Sequence, residues 1–131
     1  MSELEEERDN LRMELENLEE NLEDFFQLVK TSVSYELDYS LGSIKYVELL
    51  LTHLNVDAEE DADVLIDTAM YVGETIKRNY NGTWDISEET DERYLQPVVR
   101  GLSDGKKDFY PFLSANDFTT EPAVGYFLGL L

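Results

Sequence analysis

Cysteine is absent from the 131 residues, which excludes disulfides, thiolate metal sites and a cysteine nucleophile. Cations are scarce: ten Lys and Arg stand against thirty Asp and Glu, a formal net charge of −20. A surface of that sign repels phosphates, so neither nucleic acid nor membrane is an expected partner. There is a single histidine, His53, and a single tryptophan, Trp84. No apolar run approaches the length of a membrane span; Leu49-Leu50-Leu51 is typical of the longest. The acidic opening from Met1 to Glu7 is the opposite of a signal peptide's basic, then apolar, beginning. A soluble, cytoplasmic protein is therefore expected, and the Asn81-Gly82-Thr83 sequon is read as chance.

What is present suffices for a core: 42% of residues are hydrophobic and 11% aromatic, in a length suited to one ordinary domain. The acids are concentrated at the start, where residues 1–24 hold eleven of them against Arg8 and Arg12. Two segments follow from this pattern: an acidic amphipathic helical arm over 1–30 and an α+β domain over 31–131. Leu4, Leu11, Leu15, Leu18, Leu22, Phe25 and Val29 form one apolar stripe along the arm, which Arg8 interrupts once. Such a stripe serves either a coiled-coil homodimer or an arm folded back on its own domain, and the pattern leaves both open.

The arm plus two further helices are predicted to pack on a small antiparallel sheet, with a short helix at the C-terminus. Asp38 and Ser40 offer cap oxygens for a helix near 41–54, with Leu41, Ile44, Val47, Leu51 and Leu54 on its apolar face. A capping box, Asp57 with Glu60, starts the next helix, whose inner face runs from Ala62, Leu65 and Ile66 to Gly73, Ile76 and Tyr80. Asn81-Gly82 stops it, after Lys77 and Arg78 at the negative end of its dipole. Thr83–Ile86 reads as a short strand. Residues 94–102 and 107–112 flank Ser103-Asp104-Gly105-Lys106, a hairpin signal, with Pro97 and Pro111 keeping both strands short. Pro122 suits the first turn of the C-terminal helix.

Chemical motifs are few. His53 lies near a helix end, where a histidine commonly serves the dipole, and no nucleophile elbow accompanies it. The acids from Asp57 to Asp67 imitate a calcium loop, but Ala62 occupies the position that needs glycine and Thr68 the position of the bidentate glutamate. They read as a solvated face, with no metal expected. No phosphate-cradling loop and no dinucleotide fingerprint is present, so no cofactor is expected.

Tyr71-Val72-Gly73-Glu74 on a helix, Gly82-Thr83-Trp84 at its exit, then Leu95-Gln96-Pro97-Val98-Val99 and Phe109-Tyr110-Pro111-Phe112 carry a resemblance. Together they resemble a group of small uncharacterised bacterial domains with a Tyr-x-Gly-Glu helix, a Gly-x-Trp exit and a Pro-Phe hairpin. Those domains are in turn loosely similar to immunity and inhibitor proteins that accompany secreted toxins. The resemblance spans residues 36–112, leaves the arm outside, and implies a fold rather than catalytic residues. Read structurally, Gly73 permits close helix packing, Trp84 covers the helix–sheet junction and Glu74 accepts a hydrogen bond from either a sheet amide or the indole. Read functionally, Tyr71, Glu74, Asn79 and Trp84 form the rim of a binding site suited to a basic partner.

The favoured expectation is a non-enzymatic acidic module that binds a basic protein in the manner of an inhibitor or immunity protein. The alternatives are a salt-adapted domain that oligomerises through its arm, and a metal-assisted hydrolase using Glu60, Asp63 and Asp67.

Overall fold

A computed structural model describes residues 2–131. It is mostly helical, with one two-stranded antiparallel sheet, an α+β arrangement with few strands. The arm comprises α1 (Glu3–Glu16), α2 (Leu18–Asn21) and α3 (Glu23–Val33). Ser2 caps α1 by accepting the Glu5 N–H (3.2 Å), and Glu3, Glu5 and Glu6 in the first turn suit the positive end of the dipole. The single long helix expected is broken twice, at Asn17 (φ −107°, ψ 19°) and Leu22 (φ −95°, ψ 1°). At the first break the Asn17 side-chain amide donates to the Met13 carbonyl (2.9 Å), so a local side-chain bond competes with the helical ladder.

The arm folds back on its own domain. Leu11, Leu18, Leu22, Phe25 and Val29 are buried, and the last four belong to the same core as Ile44, Leu50 and Tyr71. Leu4 and Leu15 are half-buried. Arg8, which interrupts the stripe, does so because it reaches the sheet: its Nε–H donates to Asp85 Oδ1 at 2.9 Å.

A 3-10 turn (Leu41–Ser43) leads into α4 (Ile44–His53). Asp38 accepts the Ser40 N–H (3.1 Å) and the Ser40 hydroxyl (2.6 Å), which builds the turn before it. The next helix, α5 (Ala62–Tyr80), starts later than the capping box implies. Asp57 does accept the N–H groups of Glu59 and Glu60, but the carboxylate that reaches back to the Asp57 N–H is that of Asp61, not Glu60. The expected apolar stripe of α5 is also revised: Ala62 and Ile66 face solvent, whereas every residue from Thr68 to Ile76 is buried. A helix enclosed on all sides has no polar face to reveal its orientation.

Beyond Asn81, which ends α5 in the left-handed region (φ 55°), β1 (Thr83–Ile86) pairs with β2 (Pro97–Arg100). The register sets Trp84 opposite Val99 and Asp85 opposite Val98. The expected hairpin around Asp104-Gly105 keeps its turn, with positive φ at both residues, but its pairing shrinks to a bridge between Val99 and Phe109. Pro111 does not close a strand. It begins α6 (Pro111–Thr120), a helix packed on α5 that the strand reading missed, although Pro111, Ser114, Ala115 and Phe118 are buried at helical spacing. The C-terminal helix, α7, is one turn long (Tyr126–Gly129) and starts four residues after Pro122. No helix among the described residues is long and apolar enough to cross a membrane.

Candidate functional site

The C-terminal half of α5 gathers the polar side chains of the Tyr-x-Gly-Glu segment. Glu74 is buried and accepts two bonds, from the Trp84 indole N–H (2.9 Å, Oε1) and from Arg78 Nε–H one turn on (2.7 Å, Oε2). A charged acceptor with two donors is well satisfied, and each such bond is worth about 1.5–3 kcal/mol. The indole crosses directly over Gly73, where a Cβ would stand 2.3 Å from Trp84 Cη2. Glycine is required there by close approach, not by a special backbone angle.

Tyr71 and Asn79 meet on the other side, around Tyr39. The Tyr71 hydroxyl accepts the Tyr39 N–H (2.9 Å) and lies 2.7 Å from Ser43 Oγ. Because Ser43 Oγ–H is used on the Ser40 carbonyl (2.6 Å), the Tyr71 hydroxyl is the donor of that second bond. Asn79 Nδ2 donates to the Tyr39 carbonyl (2.9 Å) and to the Thr75 carbonyl (2.7 Å). Arg78 lies over the Tyr39 ring, 3.8 Å from its centroid. Burial pushes the Tyr39 phenol up to about 12, against the opposing influence of Arg78, and burial likewise raises Tyr71. Both phenols are neutral at physiological pH.

Of the four expected rim residues, Glu74 and Trp84 touch each other, and Tyr71 and Asn79 are joined through Tyr39. Tyr71 is 0% exposed, so it offers no rim; its hydroxyl ties the 39–43 segment to the core. Trp84 is half-buried and Asn79 exposed. The residues that sequence reasoning missed are Arg78 and Tyr39, although Arg78 stands at the i+4 position from Glu74, where an ion pair is expected on a helix.

Trp84 also lines an open hollow of about 670 Å³ between the break in the arm and the end of α5, together with Leu15, Leu18, Glu19, Glu20 and Arg78. Of its two cations Arg78 is paired and, among the described residues, Lys77 is not. Every arginine of the chain has a carboxylate within ion-pair distance: Arg8 and Arg100 share Asp85, Arg12 has Asp9, Arg78 has Glu74 and Arg93 has Asp91. Burial pushes the Asp85 carboxyl up, but the Ile86 amide and its two arginines outweigh this and hold it below its usual range.

A second acidic grouping lies across the arm–α5 seam. Burial pushes the Asp67 carboxyl up to about 6, and the charges of Asp63, Asp24 and Glu14 add to that effect. Glu60 is exposed, and no three Asp, Glu or His side chains among the described residues converge in a geometry that could hold a metal. His53 is exposed at the last residue of α4.

One buried carboxylate went unnoticed in the sequence. Glu48, on α4, accepts the Gly125 N–H (2.9 Å) and the Phe127 N–H (3.2 Å), and so fastens the tail. Phe127 is then buried, stacked on Phe118 (centroids 5.4 Å apart) and edge-on to Phe109 (6.4 Å). Compared with known proteins, the chain matches no family model, no curated protein and no solved structure.

Proposed function

We propose that the chain is a non-enzymatic, acidic protein-binding module directed at a basic partner protein. The carrying observation is the distribution of ion pairs. All five arginines are engaged with carboxylates of their own chain, yet only eight of the thirty acids have an ion-pair partner among the described residues, which leaves twenty-two without one. Folding thus engages six of the ten cations, the five arginines and Lys30, and leaves a surface on which unpaired acids predominate. Such a surface steers an oppositely charged partner and makes association fall with ionic strength. In this reading the Tyr71–Glu74 segment serves the fold, Trp84 both covers Gly73 and lines the open hollow, and any likeness to immunity or inhibitor proteins lies in the surface charge.

The test is affinity capture from a native lysate at low and high salt, with mass spectrometry of the eluate. Retention of a single basic protein at low salt and its loss at high salt supports the proposal. Retention unchanged by salt refutes it. A second reading, a salt-adapted domain, is favoured by one observation, the five lysines set against thirty acids. Stability that climbs steeply into molar salt, without any captured partner, would select it.

A further inference from the structure

The hollow beside Trp84 is one part of a longer channel. Toward the start of the arm it continues into a hollow of about 530 Å³ that ends at Arg8 and Asp85, the two sharing Leu15, Glu16 and Trp84. In the other direction it meets a hollow of about 400 Å³ floored by Phe26, Leu37 and Tyr39, the two sharing Glu19. The channel therefore follows the arm from Arg8 to Lys30, a path of at most about 30 Å at about 1.5 Å per residue, since the breaks at Asn17 and Leu22 can only shorten it. An extended peptide of about nine residues spans that length at about 3.3 Å each.

Its chemistry is two-sided. The floor is apolar or aromatic at Leu15, Trp84, Phe26 and Tyr39. The wall supplied by the arm presents Glu19, Glu20 and Glu23, none of which has an ion-pair partner among the described residues. Of the cations that line it, Arg8, Arg12, Lys30 and Arg78 are each engaged with a carboxylate of the chain. Lys77 alone among the described lining residues is not. A nucleic acid would meet the glutamates and a purely apolar segment would desolvate them, so charge complementarity selects a segment that alternates cations with apolar side chains.

We infer that this channel is the docking site for a basic, apolar-containing peptide segment of the partner, seated with its apolar side chains toward Trp84 and Phe26 and its cations toward Glu19, Glu20 and Glu23. The inference rests on the reading of the chain as a binder of basic protein. It adds where that partner docks and what sequence chemistry it presents.

Trp84 is the sole tryptophan, so its emission reports on the channel directly. The experiment titrates the full chain with a synthetic ten-residue peptide alternating lysine with leucine and glycine. Trp84 emission and the anisotropy of a label on the peptide are followed together. The expected result is a saturating change in Trp84 emission that coincides with the anisotropy rise. Replacing Glu19, Glu20 and Glu23 by Gln is expected to weaken binding about tenfold, whereas the same change at Glu59, Glu60 and Glu121, outside the channel, changes it less than about twofold. Lys77→Gln is expected to tighten binding about twofold, and deca-lysine to bind several-fold more weakly for want of apolar contacts. Urea midpoints of the variants check that they fold.

Equal weakening by both triple substitutions, with Trp84 silent, would overturn the channel while leaving the basic-partner reading intact. Deca-lysine binding as tightly as the mixed peptide would overturn the apolar seat. No anisotropy change with either peptide would overturn both readings. An emission change that depends on protein concentration without peptide would assign the channel to a second copy of the chain, and the inference would fall.

Discussion

Replacing Gly73 by alanine sets two effects of opposite sign against each other. In a helix interior alanine is favoured over glycine by about 1 kcal/mol. The added methyl, however, would stand 2.3 Å from Cη2 and 2.7 Å from Cζ2 of Trp84, with Pro111 Cγ at 3.3 Å. The indole cannot slide freely, because its N–H is bonded to the buried Glu74 carboxylate at 2.9 Å. Moving the ring far enough to admit the methyl breaks that bond, a loss of about 1.5–3 kcal/mol, and forcing the contact costs about 1–3 kcal/mol. After the helical gain is deducted, a destabilisation of about 3 kcal/mol is expected. With a slope of about 1–3 kcal/mol per molar urea, the midpoint falls by about 1–3 M. Far-UV circular dichroism is the suitable probe, since Trp84 emission itself will change. In a Trp84→Leu background the ring atoms are gone, and the same alanine should stabilise by up to about 1 kcal/mol. If Gly73→Ala were as stable as the parent with Trp84 in place, the steric argument would be refuted.

Three further outcomes are expected. Glu48→Ala removes the acceptor of the Gly125 and Phe127 amides, so hydrogen exchange should show both losing protection, with a stability loss of about 2–4 kcal/mol and a smaller one for Glu48→Gln. Unchanged protection at those amides would show that Phe127 packing alone holds the tail. Asp67 has a carboxyl raised from 3.8 to about 6 in the folded protein. Its ionisation therefore opposes folding above about pH 6, and that penalty disappears as pH falls from 6 toward 4. Asp67→Asn should raise stability at pH 7 by about 1–2 kcal/mol, screening considered, and flatten the urea midpoint between pH 7 and 5. A midpoint insensitive to pH in the parent would contradict it. In the arm, Leu22→Ala should cost about 3 kcal/mol because Leu22 is only 1% exposed, whereas Met13→Ala, at a site 57% exposed, should cost less than about 0.5 kcal/mol. Sedimentation should show no change of mass with either, and equal costs would mean that the stripe is not seated in the core.

The acidity of the chain and its few cations are linked through Asp85. Arg8 from the arm and Arg100 from β2 both reach its carboxylate, so one acid joins the arm to the sheet. These pairs are partly exposed, and surface pairs contribute little individually. Their consequence is for charge: each arginine so engaged is offset by an acid of the chain while staying partly exposed, and the unpaired glutamates of the arm wall keep the surface negative.

The amino-acid sequence by itself determined the features that depend on near neighbours. The amphipathic stripe of the arm, the end of α5 at Asn81-Gly82, the strand after it and the Asp104-Gly105 turn are set by periodicity, propensity and backbone freedom within a few residues. The closeness of Gly73 to a large group was legible because glycine in a helix interior needs a packing reason. The tertiary structure alone decided the rest. It chose β2 rather than the 107–112 segment as the main partner of the sheet, across a ten-residue loop. It turned Pro111 from a strand end into the first turn of α6, and it enclosed α5 so fully that Tyr71 became core instead of rim. The bonds that seat the arm and the tail, Arg8 to Asp85 and Glu48 to Gly125, each join residues 77 apart in the chain. No local pattern announces such a pair, because neither residue acquires its partner until the core between them has formed.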